Sequence, residues 1–198
     1  MARVAWAITG AGHLLIESCE VMSEIASKPG VELITFVSSA GFECAKMYRV
    51  WEKVEGISER VYVDSKASAP EVGGLARGRY KFLVVSPATA NSVAKIVIGI
   101  ADTLVTNAVA QAQKAKTPVI VVPTDQAFGP ILTKLPYRPE HEKDQLLEGP
   151  NEIRYGEEIQ IAIRRIDAEN FEKLKKMDGI TVFDHPYQIR SIVGLYLD

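Results

Sequence analysis

Short apolar runs, each closed by small or polar residues and followed by apolar positions at helical spacing, recur between residues 3 and 123. Residues 3–8, 32–37, 81–85 and 117–122 are almost continuously apolar, as expected of strands covered on both faces. Residues 60–64 alternate like a shorter strand. Leu14, Leu15, Ser18, Cys19, Val21, Met22, Ile25 and Ala26 give one broad face, which predicts a helix to about residue 27 ended by Lys28-Pro29-Gly30. Residues 41–54 predict a second helix whose Phe42, Ala45, Met47, Tyr48, Val50 and Trp51 suit a core or a subunit interface. Residues 66–79, with Pro70, Gly73, Gly74 and Gly78, read as loop with at most a brief helix. Val93, Ala94, Ile96, Val97, Ile98 and Ile100 are too apolar for a solvent-facing helix. Gly99 is placed to end that helix, and Asp102 to cap the next over residues 103–114.

This alternation predicts an α/β fold, a doubly wound, Rossmann-like parallel sheet with right-handed crossovers and strand order 3-2-1-4-5. The pattern changes after Phe128, which divides the chain into a domain over residues 1–128 and a loop with a small α+β extension over residues 129–198. Gly129-Pro130, Pro136, Pro139 and Gly149-Pro150 punctuate a polar excursion with Lys134, Arg138, His141 and Lys143, expected to lie over the ligand crevice or on a neighbouring subunit. Ile159, Ile161 and Ile163 alternate as a strand. Asp167 is placed to cap a helix over 168–177 that Gly179 ends; residues 180–183 suit one more short strand, and a helical end follows from Tyr187. His185, before Pro186, reads as structural.

Composition narrows the function classes. A formal charge of −2 gives no electrostatic reason to expect nucleic acid or an anionic membrane. Cys19 and Cys44 are too few for a disulfide framework or a cysteine-ligated cluster and read as buried thiols of a reducing compartment. The amino terminus enters a strand directly and no apolar run approaches 18 residues, so a soluble, cytoplasmic protein is expected. No metal-ligand spacing and no catalytic triad stands out.

The candidate chemistry lies where predicted strands end. Residues 86–95 read as a strand-to-helix turn at the carboxyl edge of the sheet, where ligands of open parallel sheets bind. Ser86, Thr89, Asn91 and Ser92 offer hydrogen bonds there, while Ala88 and Ala90 admit a flat ligand. Thr9-Gly10-Ala11-Gly12-His13 follows the first strand; such a loop can close its amides on a phosphate at a helix amino terminus. Leu15 stands where a dinucleotide fingerprint has its third glycine, and the second strand ends in Ser38-Ser39-Ala40 instead of an acidic residue. Together these favour a mononucleotide. The plainer alternative is a tight turn at Gly10 and Gly12 with Ser39 as a helix cap. His13 suits phosphate or ring contact or an ordinary helix start. Lys95 suits a reduced anionic ligand or an ion pair, and Asn107 suits the crevice or an interhelical contact. Asp125 and Gln126, after the fifth strand, are the leading substrate or partner contacts.

The run Ser86-Pro87-Ala88-Thr89-Ala90-Asn91-Ser92-Val93-Ala94-Lys95, with Gly99-Ile100-Ala101-Asp102-Thr103-Leu104, Val121-Val122-Pro123 and the opening Ile8-Thr9-Gly10-Ala11-Gly12, resembles the FMN-binding flavoprotein family that includes cysteine decarboxylases and flavin prenyltransferases. The whole chain looks most like its archaeal flavoprotein and dihydromethanopterin reductase branch. The resemblance implies FMN as cofactor. Thr9, Gly10, Ala11, Gly12, Ser38 and Ser39 would then line its phosphate and ribityl chain, and Ser86, Pro87, Ala88, Thr89 and Asn91 its ring side. It further implies a homotrimer, or a multiple of trimers, with flavin near a subunit boundary. The decarboxylase histidine is missing from residues 61–80, and Pro123-Thr124-Asp125-Gln126 replaces both the decarboxylase Pro-x-Met-Asn-like motif and the prenyltransferase Arg-Glu pair. Electron or hydride transfer remains. The leading expectation is an electron-transfer flavoprotein fed by a ferredoxin or another iron-sulfur protein. The alternative is a dihydromethanopterin reductase using bound FMN, and a decarboxylase-like enzyme ranks third.

Overall fold

The computed structural model describes residues 1–65, 70–136 and 158–197. Six parallel strands form the centre: β1 (Ala2–Ile8), β2 (Val31–Val37), β3 (Arg60–Val63), β4 (Phe82–Ala88), β5 (Val119–Pro123) and β8 (Ile180–Val182), in the order β3-β2-β1-β4-β5-β8. Two further strands, β6 (Gly129–Lys134) and β7 (Glu158–Ile163), form a separate antiparallel pair. The doubly wound sheet expected from the sequence is present, extended by one strand from the carboxyl-terminal region, where Val119, Ile120 and Val121 of β5 stand beside Ile180, Thr181 and Val182.

The strands are apolar throughout because both faces are covered. Val4, Trp6 and Ile8 of β1 point into one layer with α1 (Leu15–Ala26), α2 (Ser39–Met47), α3 (Trp51–Ile57) and α8 (Arg190–Leu197). Ala5 and Ala7 point into the other, beneath α4 (Gly73–Ala76), α5 (Ala90–Ile98), α6 (Leu104–Lys114) and α7 (Arg165–Leu174). This period-two alternation divides one strand between two cores. Trp6, Phe36 and Phe82 are among the largest fully buried side chains, each contributing on the order of 2–3 kcal/mol by area burial. Among the described residues, no helix is long and apolar enough to cross a membrane.

Several elements differ from expectation. The helix expected over 41–54 is two helices, because Arg49 adopts a left-handed backbone (φ 56°) and Val50 N–H turns back to the Ala45 carbonyl. β4 runs on through Ser86, Pro87 and Ala88, with a register shift against β5 between Val85 and Ala88, so the first three residues of the supposed turn are strand. Gly99 ends α5 at φ 78° as expected. Thr103, however, caps α6 in a box with Thr106, while Asp102 pairs with Lys95 at 2.8 Å. Asp167 is not a cap: it lies in the first turn of α7, buried, and holds the Arg164 guanidinium through two bonds of 2.7 and 2.8 Å. Gly129–Lys134, read as part of a loop, is strand β6. Arg138, His141 and Lys143 lie outside the described residues.

Candidate functional site

β1 is followed to one side by β2 and β3, and β4 to the other by β5 and β8, so the direction of winding reverses between β1 and β4. In an open α/β sheet the loops after two such strands part and leave a crevice at the carboxyl edge. Thr9 spans its base. Its amide donates to the Pro87 carbonyl (3.3 Å), its hydroxyl donates to the same carbonyl (2.7 Å), and that hydroxyl accepts the Thr89 amide (2.9 Å). Thr9 is buried, so these bonds act without competing water.

Gly10 and Gly12 serve close approach, since neither has a positive φ. A Cβ on Gly10 would sit 2.6 Å from the Ala40 Cβ, and one on Gly12 would overlap the Tyr48 hydroxyl. Gly41 shares the seam: its Cβ would meet the Ile8 carbonyl oxygen at 2.7 Å. Gly10 and Gly41 let the first turn of α2 close on the end of β1 and the loop after it, and Gly12 admits the Tyr48 ring from the far end of α2. The loop keeps its donors available. Among the described residues no acceptor meets the amides of Gly10, Gly12 or His13.

The helix starts at this edge add more donors. Ser38 caps α2 by accepting the Gly41 amide, and Thr89 caps α5 by accepting the Ser92 amide. The amides of Ser39, Ala40, Ala90 and Asn91 then project beyond the first turns without helical partners, where the helix dipole favours an anion. Ser39 is exposed and donates its hydroxyl to the Asp64 carbonyl (2.9 Å), while the Asp64 carboxylate accepts the Leu104 amide (2.9 Å) and ties the start of α6 to the end of β3. The Asn91 side chain is exposed and has no hydrogen-bond partner among the described residues.

Not every sequence candidate faces the crevice. Ser86, Pro87 and Ala88 are buried. The Ser86 carbonyl accepts the Trp6 indole N–H (2.8 Å), and its hydroxyl lies 2.8 Å from that of Ser18. The Ala88 carbonyl accepts the Thr124 amide (2.9 Å), and Ala11 packs into the interior. Asn107 uses its amide group on the Ala101 and Thr103 carbonyls (2.9 and 3.0 Å), at the start of its own helix, and not on another helix as the interhelical alternative had it. Lys95 takes the ion-pair reading with Asp102, within one chain.

His13, Asp125 and Gln126 share one end of the edge. Half-burial lowers the His13 pKa below its ordinary 6.5; the charges of Glu17 and Asp125 act in the opposite direction, and His185 adds to the lowering. Asp125 accepts the Thr124 hydroxyl (2.6 Å). Gln126 donates to the Pro123 and Asp184 carbonyls (2.9 and 2.5 Å), so the region after β8 closes this end. His185 caps the 3-10 turn Pro186–Ile189.

Two contributors carried no sequence signal of their own. Tyr48, read as core or interface, stands over Gly12 and donates its hydroxyl to the Lys134 carbonyl (2.5 Å), joining the start of the β6–β7 connection to the loop after β1. Ser18 lay on an ordinary helix face. Asp64 did have a signal: it is the polar residue directly after a strand, at the edge where ligands gather.

Named relatives match this chain along nearly its whole length. A protein named dihydromethanopterin reductase (acceptor) from Methanocaldococcus jannaschii is 36% identical over 236 residues, covering 98% of this chain and 96% of the relative. One of the same name from Methanosarcina mazei is 35% identical, covering 96% of this chain and 98% of its own. The crystal structure of Burkholderia xenovorans DmrB in complex with FMN, described as a cubic protein cage for redox transfer, superposes with a TM-score of 0.76 at 32% identity, covering 99% of this chain and 95% of that one. The Flavoprotein family model matches residues 1–194, and the chain therefore belongs to the flavoprotein family.

Proposed function

We propose that this chain binds FMN in the β1–β4 crevice and works as a cytoplasmic redox flavoprotein that reduces a dihydropterin of the dihydromethanopterin class. One observation carries the cofactor assignment: N–H donors of Gly10, Gly12, His13, Ser39, Ala40, Ala90 and Asn91, without acceptors among the described residues, gather at the switch point. That arrangement suits a mononucleotide phosphate with a polar tail. The pterin assignment is supported by the full-length reductase relatives.

Bound FMN supplies the one- and two-electron chemistry. The chain supplies binding and orientation. Gly10, Gly12, His13, Ser38 and Ser39 hold the phosphate and ribityl chain over buried Thr9 and Ala11, which shape the loop, while Thr89 and Asn91 meet the ring side. Pro87, Ala88 and Ser86 lie beneath these residues and set the shape of the floor. Asp125 and Gln126 take the substrate or partner end, next to His13.

A ferredoxin-type iron-sulfur protein is proposed as electron donor. Association into trimers, or multiples of trimers, is proposed to cover exposed Ile98, Ile100, Phe128 and Leu132, in line with the cage described for the Burkholderia protein. Visible spectra of the purified protein with added FMN, then reduced ferredoxin, then a dihydropterin test the set. The expected result is flavin bands that bleach with ferredoxin and return with the dihydropterin. Bleaching without return would point to an electron carrier, and a protein that fails to bind FMN would remove the assignment. Light scattering measures the assembly.

A further inference from the structure

We propose that Ser18, buried on α1, is a positioning residue of the crevice: with Ser86 it clasps the end of the β1–α1 loop to β4, as Thr9 clasps its beginning. The Ser18 hydroxyl donates to the Leu14 carbonyl at 2.6 Å, which uses its single proton. The Ser86 hydroxyl, 2.8 Å from Ser18 Oγ, must therefore be the donor in that pair. A directed relay results, from Ser86 through Ser18 to Leu14, and both serines are fully buried.

Leu14 is the residue that needs holding. Its backbone is left-handed (φ 63°), a conformation disfavoured for a branched, bulky side chain, and it is the last residue before α1. Its carbonyl receives both the Ser18 amide (3.0 Å) and the Ser18 hydroxyl. At the other end of the loop, Thr9 binds the Pro87 carbonyl and the Thr89 amide. Gly10, Ala11, Gly12 and His13 thus hang between two anchors, both fixed to the same short stretch, Ser86 to Thr89. The two sides of the crevice consequently form one body. Ser86 acts through this relay and not by touching a ligand, because its side chain has no exposed surface.

The inference rests on the FMN reading, and the test separates the two. A second relay of the same chemistry serves as control: the Ser58 hydroxyl donates to the Val54 carbonyl (2.6 Å) and takes the Thr35 hydroxyl (2.7 Å), between α3 and β2, at the start of β3. Ser18→Ala, Ser86→Ala, the double variant and Ser58→Ala are compared by FMN titration and, without cofactor, by amide hydrogen exchange and thermal unfolding. Ser18→Ala and Ser86→Ala are each expected to weaken FMN binding about fivefold or more, with the double variant no worse than either. Both should speed exchange at Ala11 and Leu15 and, across the crevice, at Thr89. Ser58→Ala should lower Tm but leave FMN affinity and those amides unchanged. If Ser86→Ala weakens binding while Ser18→Ala does not, Ser86 acts directly and the relay is refuted. If both lower only Tm, like Ser58→Ala, the serines merely pack and the proposal fails. A wild-type chain that does not bind FMN ends the cofactor reading alone, since the exchange at Thr89 still decides the clasp.

Discussion

Gly41→Ala sets sequence and structure against each other. Judged as a helix residue, alanine would be the better choice by up to about 1 kcal/mol. Judged in place, the added methyl would lie 2.7 Å from the Ile8 carbonyl oxygen and 3.1 Å from the Ser38 hydroxyl. Neither neighbour yields easily: the Ile8 carbonyl accepts the Ser38 amide (3.0 Å), and the Ser38 hydroxyl accepts the Gly41 amide (3.0 Å). Overpacking of this kind costs about 1–3 kcal/mol, and loosening either bond adds roughly 1 kcal/mol. The net expectation is a loss of about 2 kcal/mol, or roughly 4–8 °C in Tm for a chain of this size. Gly56→Ala is the control, because a Cβ on that exposed α3 glycine meets nothing within 4 Å; it should raise Tm by about 1–3 °C. Calorimetry of both variants, followed by FMN titration, makes the comparison, and Gly41→Ala should also weaken FMN by displacing the first-turn amides of α2. A Gly41→Ala protein as stable as the parent would refute the close seam between α2 and β1.

Other expectations follow from the same geometry. Thr9→Val keeps the shape but leaves the Thr89 amide without its acceptor, so urea unfolding should show a loss of about 1–3 kcal/mol together with weaker flavin retention. Tyr48→Phe removes the bond to the Lys134 carbonyl; hydrogen exchange should quicken in β6 and β7 with a stability cost of about 0.5–1 kcal/mol, at the low end because the bond is solvent-exposed. For His13, burial lowers the folded-state pKa, so the unfolded chain takes up the proton first as pH falls. Its stability contribution is present above about 6.5 and is lost as pH drops through that value toward the lower folded pKa. His13→Gln should therefore flatten the dependence of unfolding free energy on pH between about 7 and 5, and an unchanged slope would place the titration elsewhere.

Much of the frame was legible along the chain. Apolar runs marked the strands because a strand covered on both faces must be apolar at every position, and Gly99, with its positive φ, marked a helix end. Caps were misread where two neighbouring residues could each serve: Asp102 and Thr103 are both good candidates, and only the packing of Lys95 beside Asp102 left the cap to Thr103. The break after α2 was hidden because nothing in Tyr48-Arg49-Val50 forbids a helix; packing of Val50 and Trp51 imposes it. β6 was hidden because Gly129 and Pro130 weaken a strand pattern that only pairing with β7 completes.

The sequence by itself determined the doubly wound sheet, the edge at which a ligand would gather, and the small, hydroxyl-bearing residues placed there, because periodicity and residue chemistry are local properties. Only the tertiary structure decided which of those residues face the crevice and which support it. Ser86 looked like a ligand contact and is a buried donor to Ser18, Gly12 looked like part of a phosphate loop or a tight turn and is also the place where Tyr48 rests, and His185 stands near His13 from the far end of the chain. Each of these depends on contacts between segments distant in sequence. No local pattern encodes them, since they arise when the sheet brings its loops to one edge.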